Sequence, residues 1–179
     1  ESAANSLGEY RVNYYANRHL AGDPALTRSE TRLHHDWGGG GPGNGVPNDN
    51  FSARWTGRFS FNGGDCTFIA RADDGIRVWV DGHRIIDQWK DQGATTYRAD
   101  RHLGAGEHEV KVEYYEHWGD AVAQVRWESD DGDNCPIYRA EYYDNRSLSG
   151  NPASVRCEGW PIDHNWGGGG PGDGVPKDN

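Results

Sequence analysis

Two short acidic segments contain the side chains best suited to binding a ligand. The first is Asp73-Asp74-Gly75, which lies between two apolar stretches, and the second is EHWGDA at 116–121. Taken alone, Asp73-Asp74-Gly75 also fits an ordinary turn between two strands. Adjacent carboxylates repel each other, and calcium, which takes several oxygen ligands, would offset that repulsion. The pattern therefore indicates either a plain turn or a calcium site.

Other reactive patterns are weak in this sequence. His108-Glu109 is followed by Val-Lys-Val, so the second histidine of a zinc-protease HExxH motif is missing. No nucleophile elbow is present, although a carboxylate pair for glycoside cleavage stays open because acidic residues are plentiful. The run His34-His35-Asp36 is a poor metal motif, because adjacent side chains on an extended chain point in opposite directions. We expect a protein that is not an enzyme.

Composition narrows the class of protein further. The formal net charge of −10 argues against nucleic acid and anionic membranes as partners. Eight Trp and nine Tyr among 179 residues argue against disorder, and no apolar run is long enough for membrane insertion as a helix. Three cysteines fit an oxidising compartment, which predicts an extracellular or cell-surface location.

Alternating apolar residues predict the strands that position the acidic segments. The alternating sets are Phe59 and Phe61; Cys66, Phe68, Ala70 and Ala72; Ile76, Val78 and Val80; Val110, Val112 and Tyr114; and Ala123, Val125 and Trp127. Asp81-Gly82 predicts a tight hairpin, and Gly104-Ala105-Gly106 predicts another chain reversal. The pattern favours an all-β fold, an antiparallel sandwich or closed barrel.

The sequence also repeats itself. HHDWGGGGPGNGVPNDN at 34–50 returns as DHNWGGGGPGDGVPKDN at 163–179, and residues 10–28 return at 138–156. We predict a complete domain at 1–127, a linker at 128–137 and the N-terminal portion of a second copy at 138–179. The acidic run SDDGDN at the junction lacks the closing Glu of a calcium loop and is interpreted as part of the linker.

The repeated glycine-rich phrase does not fit a nucleotide loop, because no Lys-Ser/Thr follows it. We interpret it as a long ordered loop whose glycines let the backbone lie close to Trp37 or Trp166. A ligand surface built by the same loop is the alternative.

Together these motifs resemble the PA-fourteen domain, the module named after anthrax protective antigen. The resemblance rests on WGGGGPGNGVPNDNFSARW, DDGIRVWVDGHRIIDQW and GEHEVKVEYYEHWGDAVAQVRW, covers 8–127, and begins again over 136–179. It implies a β-sandwich or barrel. Many members of the family are calcium-dependent carbohydrate binders.

The resemblance also implies a set of site residues. In sugar-binding members the paired aspartates are joined by a cis peptide and share one calcium ion, and they match Asp73 and Asp74. A second loop adds an aspartate side chain and a carbonyl, which match Asp120 and Gly119. Where members often have Asn or Gln, this chain has His117, and imidazole is a poor ligand for calcium.

Trp118, next to His117 in the same loop, has two interpretations. It stacks on the apolar face of a sugar ring, or it packs against a neighbouring strand.

Two functions follow from the resemblance and the repeat. The first is a calcium-assisted carbohydrate-binding or adhesive module of an extracellular or cell-surface repeat protein, with a glycan or polysaccharide as its partner. The alternative is a structural repeat unit of an extracellular filament or surface assembly, in which any metal only stiffens a loop.

The second copy raises two further expectations. Cys135 and Cys157 have no counterpart in the first copy, so they are predicted to form a disulfide, with Cys66 as a buried thiol. Residues 138–179 are too few to bury a stable core unaided. Either the sequence is a window on a longer array, or head-to-tail self-association completes the second copy.

Overall fold

Every regular element of this protein is a β-strand in the part that the computed structural model describes, residues 7–129 and 138–158. The strands are β1 Tyr10–Tyr15, β2 Leu26–Glu30, β3 Leu33–Gly38, β4 Phe51–Asp73, β5 Gly75–Val80, β6 His83–Gln88, β7 Thr95–Glu116, β8 Ala121–Ser129, β9 Tyr138–Tyr142 and β10 Ser154–Glu158. Their registered pairs are all antiparallel, so the all-β antiparallel prediction is confirmed. Among the described residues, no helix has the length and apolarity needed to cross a membrane.

Two long strands organise the sheet. β4 and β7 pair over nearly their whole length, from Phe51 opposite Glu116 to Ala72 opposite Thr95. The strand order is β2-β1-β4-β7-β5-β6, and β8 pairs with both β3 and β4. Because β5 follows β4 directly and pairs Gly75 with Tyr115, the far end of the β4–β7 ribbon returns to its near end. The ribbon therefore closes on itself.

Glycines mark the middle of this ribbon. Gly63, Gly64 and Gly106 have φ of 93°, 108° and 129°, a region that residues with a side chain rarely adopt. The predicted reversal at Gly104-Ala105-Gly106 is wrong, because these residues lie inside β7, where Ala105 pairs with Asn62 and Gly106 with Phe61. Such irregularities increase local twist and bending, which the closed ribbon requires. The hairpin predicted at Asp81-Gly82 is confirmed and joins β5 to β6.

The core fills the inside of the closed ribbon. Trp55 and Phe68 of β4, Val78 of β5 and Val112 of β7 are fully buried, as the alternation predicts. Aromatic rings pack edge to face, for example Phe59 against Trp127 with centroids 4.9 Å apart. Burial of such side chains is the main stabilising contribution to a domain of this size.

The chain forms two compact units, Glu1–Trp127 and Glu128–Asn179. In the second, β9 and β10 form a hairpin whose turn has the same hydrogen bonds as the β1–β2 turn. Asn145 accepts the N–H groups of Ser147 and Ser149, as Asn17 accepts those of His19 and Ala21. The local structure thus follows the local sequence repeat, and the assignment of 138–179 as a second copy stays a prediction.

The cysteines divide between described and undescribed parts of the chain. Cys66 is buried in β4, with 3% of its surface exposed, as expected. Cys135 lies outside the described residues, and Cys157 is described only by its backbone position in β10. Their disulfide stays a prediction.

Candidate functional site

The Asp73-Asp74 pair lies where β4 turns into β5. Asp73 ends β4, Gly75 begins β5, and the peptide bond between Asp73 and Asp74 is cis. Gly75 has a packing role, since a Cβ added there would lie 2.1 Å from Cε1 of the Tyr115 ring. Only glycine lets β5 approach Tyr115 so closely, and this approach places the aspartates beside the end of β7.

Glu116, the last residue of β7, lies beside the two aspartates. One ligand atom from each of Asp73, Asp74 and Glu116 can be chosen so that all lie within 4.8 Å of one another. Glu116 is fully buried, and its Oε1 has no hydrogen-bond partner. A buried carboxylate oxygen without a partner is costly, and this makes the cluster a candidate cation site.

Backbone groups from two other loops hold Asp74. Its Oδ1 accepts the N–H of Gln92 at 2.7 Å, and its Oδ2 accepts the N–H of His117 at 2.9 Å. Asp74 is 5% exposed, and these bonds fix the direction of its carboxylate. The residues after β6 and the residues after β7 therefore meet at Asp74.

Burial and mutual repulsion raise the pKa of two of the three carboxylates, Glu116 and Asp73. Burial, followed by the nearby Asp74 and Asp73, raises the pKa of Glu116 to about 8, although its hydrogen bond with Tyr114 opposes the shift. Burial and Asp74 also raise the pKa of Asp73, in spite of a hydrogen bond from the backbone of Ala94. A bound cation would relieve this repulsion. Three carboxylates form an all-oxygen donor set, which suits calcium better than a softer metal.

The second predicted loop lies next to this cluster. Asp120 is exposed and close enough to contribute to the raised pKa of Asp73, but it is not one of the three clustered carboxylates. Gly119, with φ of 108°, donates its N–H to Oδ1 of Asp49 at 3.2 Å. The roles of Asp120, Gly119 and His117 as metal ligands stay predictions.

His117 and Trp118 form the outer part of the loop. Nδ1 of His117 lies 2.7 Å from Oδ2 of Asp91, so this ring nitrogen already has a hydrogen-bond partner. Trp118 is 71% exposed, so it does not pack into a neighbouring strand as one interpretation held. It remains available for stacking against a ligand.

The glycine-rich phrase packs around Trp37 and then reaches the site. A Cβ at Gly40 would lie 3.0 Å from the carbonyl oxygen of Trp37, which agrees with the close approach inferred from the sequence. The phrase ends at Asn50, whose N–H donates to the carbonyl of His117 at 3.1 Å. The end of the phrase therefore helps to shape the second loop.

One histidine of the phrase, His35, packs inside the fold, while His34 is exposed. His35 lies 2.8 Å from Glu30 and stacks on Trp37 with ring centroids 4.4 Å apart. Burial by itself raises the pKa of Glu30, but hydrogen bonds from His35, Trp55 and other donors lower it to about 2. His35 and Glu30 therefore belong to a hydrogen-bond network within the fold.

Sequence reasoning included Glu116 in the acidic segment at 116–121 but did not name it as a ligand, and it missed Asp91 and Gln92. Only Glu116 had a signal: Val110, Val112 and Tyr114 alternate inward, and the next position in that alternation is Glu116. Asp91 and Gln92 lie in a polar loop whose path the sequence does not specify.

The comparisons with known proteins identify the domain. A family model for the PA14 domain matches residues 10–141. The chain belongs to the PA14 domain family. The chain is 37% identical over 121 residues to the anti-sigma-I factor RsgI3 of Acetivibrio thermocellus, a match that covers 66% of this chain and 19% of that protein.

Solved structures agree with the assignment. An anti-sigma factor domain-containing protein matches with a TM-score of 0.65 and 30% identity over 83% of this chain and 59% of its own. A PA14 sugar-binding domain from an RTX adhesin matches with a TM-score of 0.60 over 70% of this chain and 92% of its own. At 21% identity, that second likeness shows the PA14 fold alone.

These relatives correct the functional expectation. The calcium-assisted adhesive module of a surface repeat protein, with its alternative of a structural filament unit, is contradicted by the similarity to an anti-sigma-I factor and to an anti-sigma factor domain-containing protein. The motifs quoted from the sequence specify the PA14 domain and its loops. They do not specify the larger protein that uses the domain, and one fold serves many functions.

Proposed function

We propose that this PA14 domain senses a ligand on behalf of a regulatory protein of the anti-sigma type. The similarity to RsgI3 supports the regulatory part of the proposal. The sensing part is supported by the acidic cluster, where the unpaired Oε1 of Glu116 lies buried beside Asp73 and Asp74. In this proposal the domain is not an enzyme, lies outside the cell, and passes ligand occupancy to the rest of the protein.

Calcium is the cation that we propose for the cluster. Asp73, Asp74 and Glu116 supply oxygen ligands only, and calcium needs six to eight of them. The exposed Asp120 and the Gly119 carbonyl would add to the set, which leaves coordination positions for ligand oxygens. Vicinal hydroxyls have the spacing to occupy such positions.

A glycan is the ligand class that we propose for the calcium-loaded site. The exposed Trp118 offers an aromatic face beside the cluster, and aromatic faces stack on the apolar faces of sugar rings. Sugar binding by a PA14 domain of the same fold makes this the first class to test. The role is detection of a glycan signal and does not require adhesion.

Calorimetry of the whole chain tests the site. Calcium titrated into metal-free protein is expected to bind at one site per chain, and Asp74→Asn is expected to weaken binding at least tenfold. The apo variant is expected to melt at a lower temperature too, because the amide NH2 cannot accept one of the two backbone N–H groups that Asp74 accepts, so a folded circular dichroism spectrum is its control. Glycans are then titrated with calcium or with chelator, and binding is expected only with calcium. A wild-type protein that binds no calcium would overturn the cation part of the proposal.

A domain exchange tests the sensing role. This chain would replace the matching 121-residue segment of RsgI3, and a sigma-dependent reporter would be followed with and without a glycan that the chain binds. Reporter output is expected to change with the glycan and to be insensitive to it in the Asp74→Asn exchange. An output that is the same with and without a bound glycan would contradict sensing.

A further inference from the structure

Gln92, in the loop between β6 and β7, holds the first aspartate loop at two atoms. Its backbone N–H donates to Asp74 Oδ1 at 2.7 Å, and its side-chain Nε2 donates to the Asp74 carbonyl oxygen at 3.0 Å. The amide is itself oriented, because the hydroxyl of Tyr97 donates to Gln92 Oε1 at 2.5 Å. A path of hydrogen bonds thus runs from β7 through Gln92 to Asp74.

The residue before it holds the second loop. Asp91 accepts the hydroxyl of Tyr115 at Oδ1 and lies against Nδ1 of His117 at Oδ2, both at 2.7 Å. Asp91 therefore fixes the direction of the His117 ring.

One two-residue segment thus contacts both loops of the site. Asp74 and His117 are far apart in sequence, and Asp91-Gln92 lies beside both of them. Cation ligands need their positions fixed before binding, since ordering them during binding costs affinity. Gln92 donates two of the hydrogen bonds that hold Asp74, and the backbone N–H of His117 donates another.

We propose that Gln92 is a positioning residue of the cation site. In this proposal the loop at 89–94 is the third segment that encloses the site, together with the Asp73-Asp74 loop and the loop at 116–121. The inference rests on the proposed function, because it assumes a cation at Asp73, Asp74 and Glu116. Gln92 acts through Asp74 and does not itself contact the cation. Asp91 in turn orients the ring of His117, next to the exposed Trp118.

Calcium titration of the whole chain by calorimetry tests this role. Gln92→Ala removes the side-chain hydrogen bond to the neutral Asp74 carbonyl and keeps the backbone N–H bond to Oδ1, so it is expected to weaken calcium binding about fivefold. Tyr97→Phe, which removes only the hydroxyl that orients the amide, is expected to weaken it by about threefold. Gln124→Ala is the matched control, because Gln124 lies on β8 and pairs with β3 instead.

A double-mutant cycle separates positioning from general destabilisation. If Gln92 acts through Asp74, Gln92→Ala should weaken calcium binding much less in the Asp74→Asn background than in the wild type. The melting temperature of each apo protein shows whether folding is affected, and Tyr97→Phe carries the test if Gln92→Ala does not fold.

Unchanged calcium affinity in both Gln92→Ala and Tyr97→Phe would overturn the positioning role. Independent, additive effects of the two substitutions in the cycle would overturn it as well. A wild type without calcium binding would instead overturn the proposed function, so the two failures are distinguishable.

Discussion

Replacing Glu116 by Gln is expected to stabilise the cation-free protein, the reverse of most substitutions at a fully buried position. The substitution preserves the size of the side chain and the acceptor for Tyr114, and it removes the ionisable group. Glu116 has a pKa of about 8 in the folded protein, against an ordinary 4.5. The folded state therefore binds more protons than the unfolded state between these values, and stability falls as pH rises through that window.

The magnitude follows from the same shift. The free energy of unfolding that Glu116 removes from the wild type grows by about 1.4 kcal/mol for each pH unit above 4.5. At pH 7 this loss of stability is about 3 kcal/mol. The new amide needs partners for its N–H groups, and leaving one unsatisfied costs about 1–2 kcal/mol. The expected net gain is about 1–2 kcal/mol, a rise of roughly 4–8 °C in the melting temperature of a domain of this size.

Thermal unfolding at pH 7, with chelator and with calcium, measures both effects. Glu116→Gln should melt higher than the wild type in chelator and should lose most of the calcium-dependent rise. Glu113→Gln is the control on the same strand, because Glu113 is buried but paired with Arg54 at 2.8 Å, and its loss should destabilise the protein in both buffers. If Glu116→Gln lowers the melting temperature in chelator as Glu113→Gln does, the unpaired-carboxylate reasoning is refuted.

Three further outcomes are expected. Gly75→Ala places a Cβ 2.1 Å from the Tyr115 ring, so it should cost about 1–3 kcal/mol in denaturant unfolding and weaken calcium binding in parallel; an unchanged midpoint would contradict the packing. The hydrogen bond that His108 donates to the Asp81 carboxylate raises the pKa of His108, so that pair should stabilise the fold fully below pH 6.5 and less as pH rises through the folded-state pKa. His108→Ala should therefore lower the melting temperature more at pH 6 than at pH 9, and an equal loss at both would contradict this reasoning. Trp118→Ala should change stability by less than about 0.5 kcal/mol, because the side chain is 71% exposed, while abolishing glycan binding in calorimetry; retained binding would remove Trp118 from the ligand face.

The sequence was sufficient for the strands and for the first aspartate loop. Alternating apolar residues place Phe68 and Val78 in the core, and Asp81-Gly82 gives the hairpin, because both are local features of the chain. The length of β4 was not predictable in the same way. Gly63-Gly64 resembles a break between strands, but pairing with β7 continues through it and the glycines become an irregularity inside one strand.

Only part of the candidate site could be predicted from the sequence, for a physical reason. Asp73 and Asp74 are adjacent in sequence, so their repulsion is evident without a structure. Glu116 becomes part of the cluster only because the β4–β7 ribbon closes, and Gln92 only because a loop crosses to Asp74. Contacts between distant segments depend on the closed sheet, which no short motif encodes.

Closure of the ribbon gives a bound cation a kinetic role. Asp73 ends β4 at one end of the ribbon, and Glu116 ends β7 at the other, so a cation between them would bridge the two ends. We expect contacts between segments so distant in sequence to form late in folding, because closing a long loop costs entropy first. Ligands that stabilise contacts absent from the folding transition state slow unfolding and leave the folding rate nearly unchanged. A calcium-loaded domain would thus resist transient opening, and with it proteolysis, for as long as the cation stays bound. The lifetime of the closed domain would then depend on the calcium concentration around it.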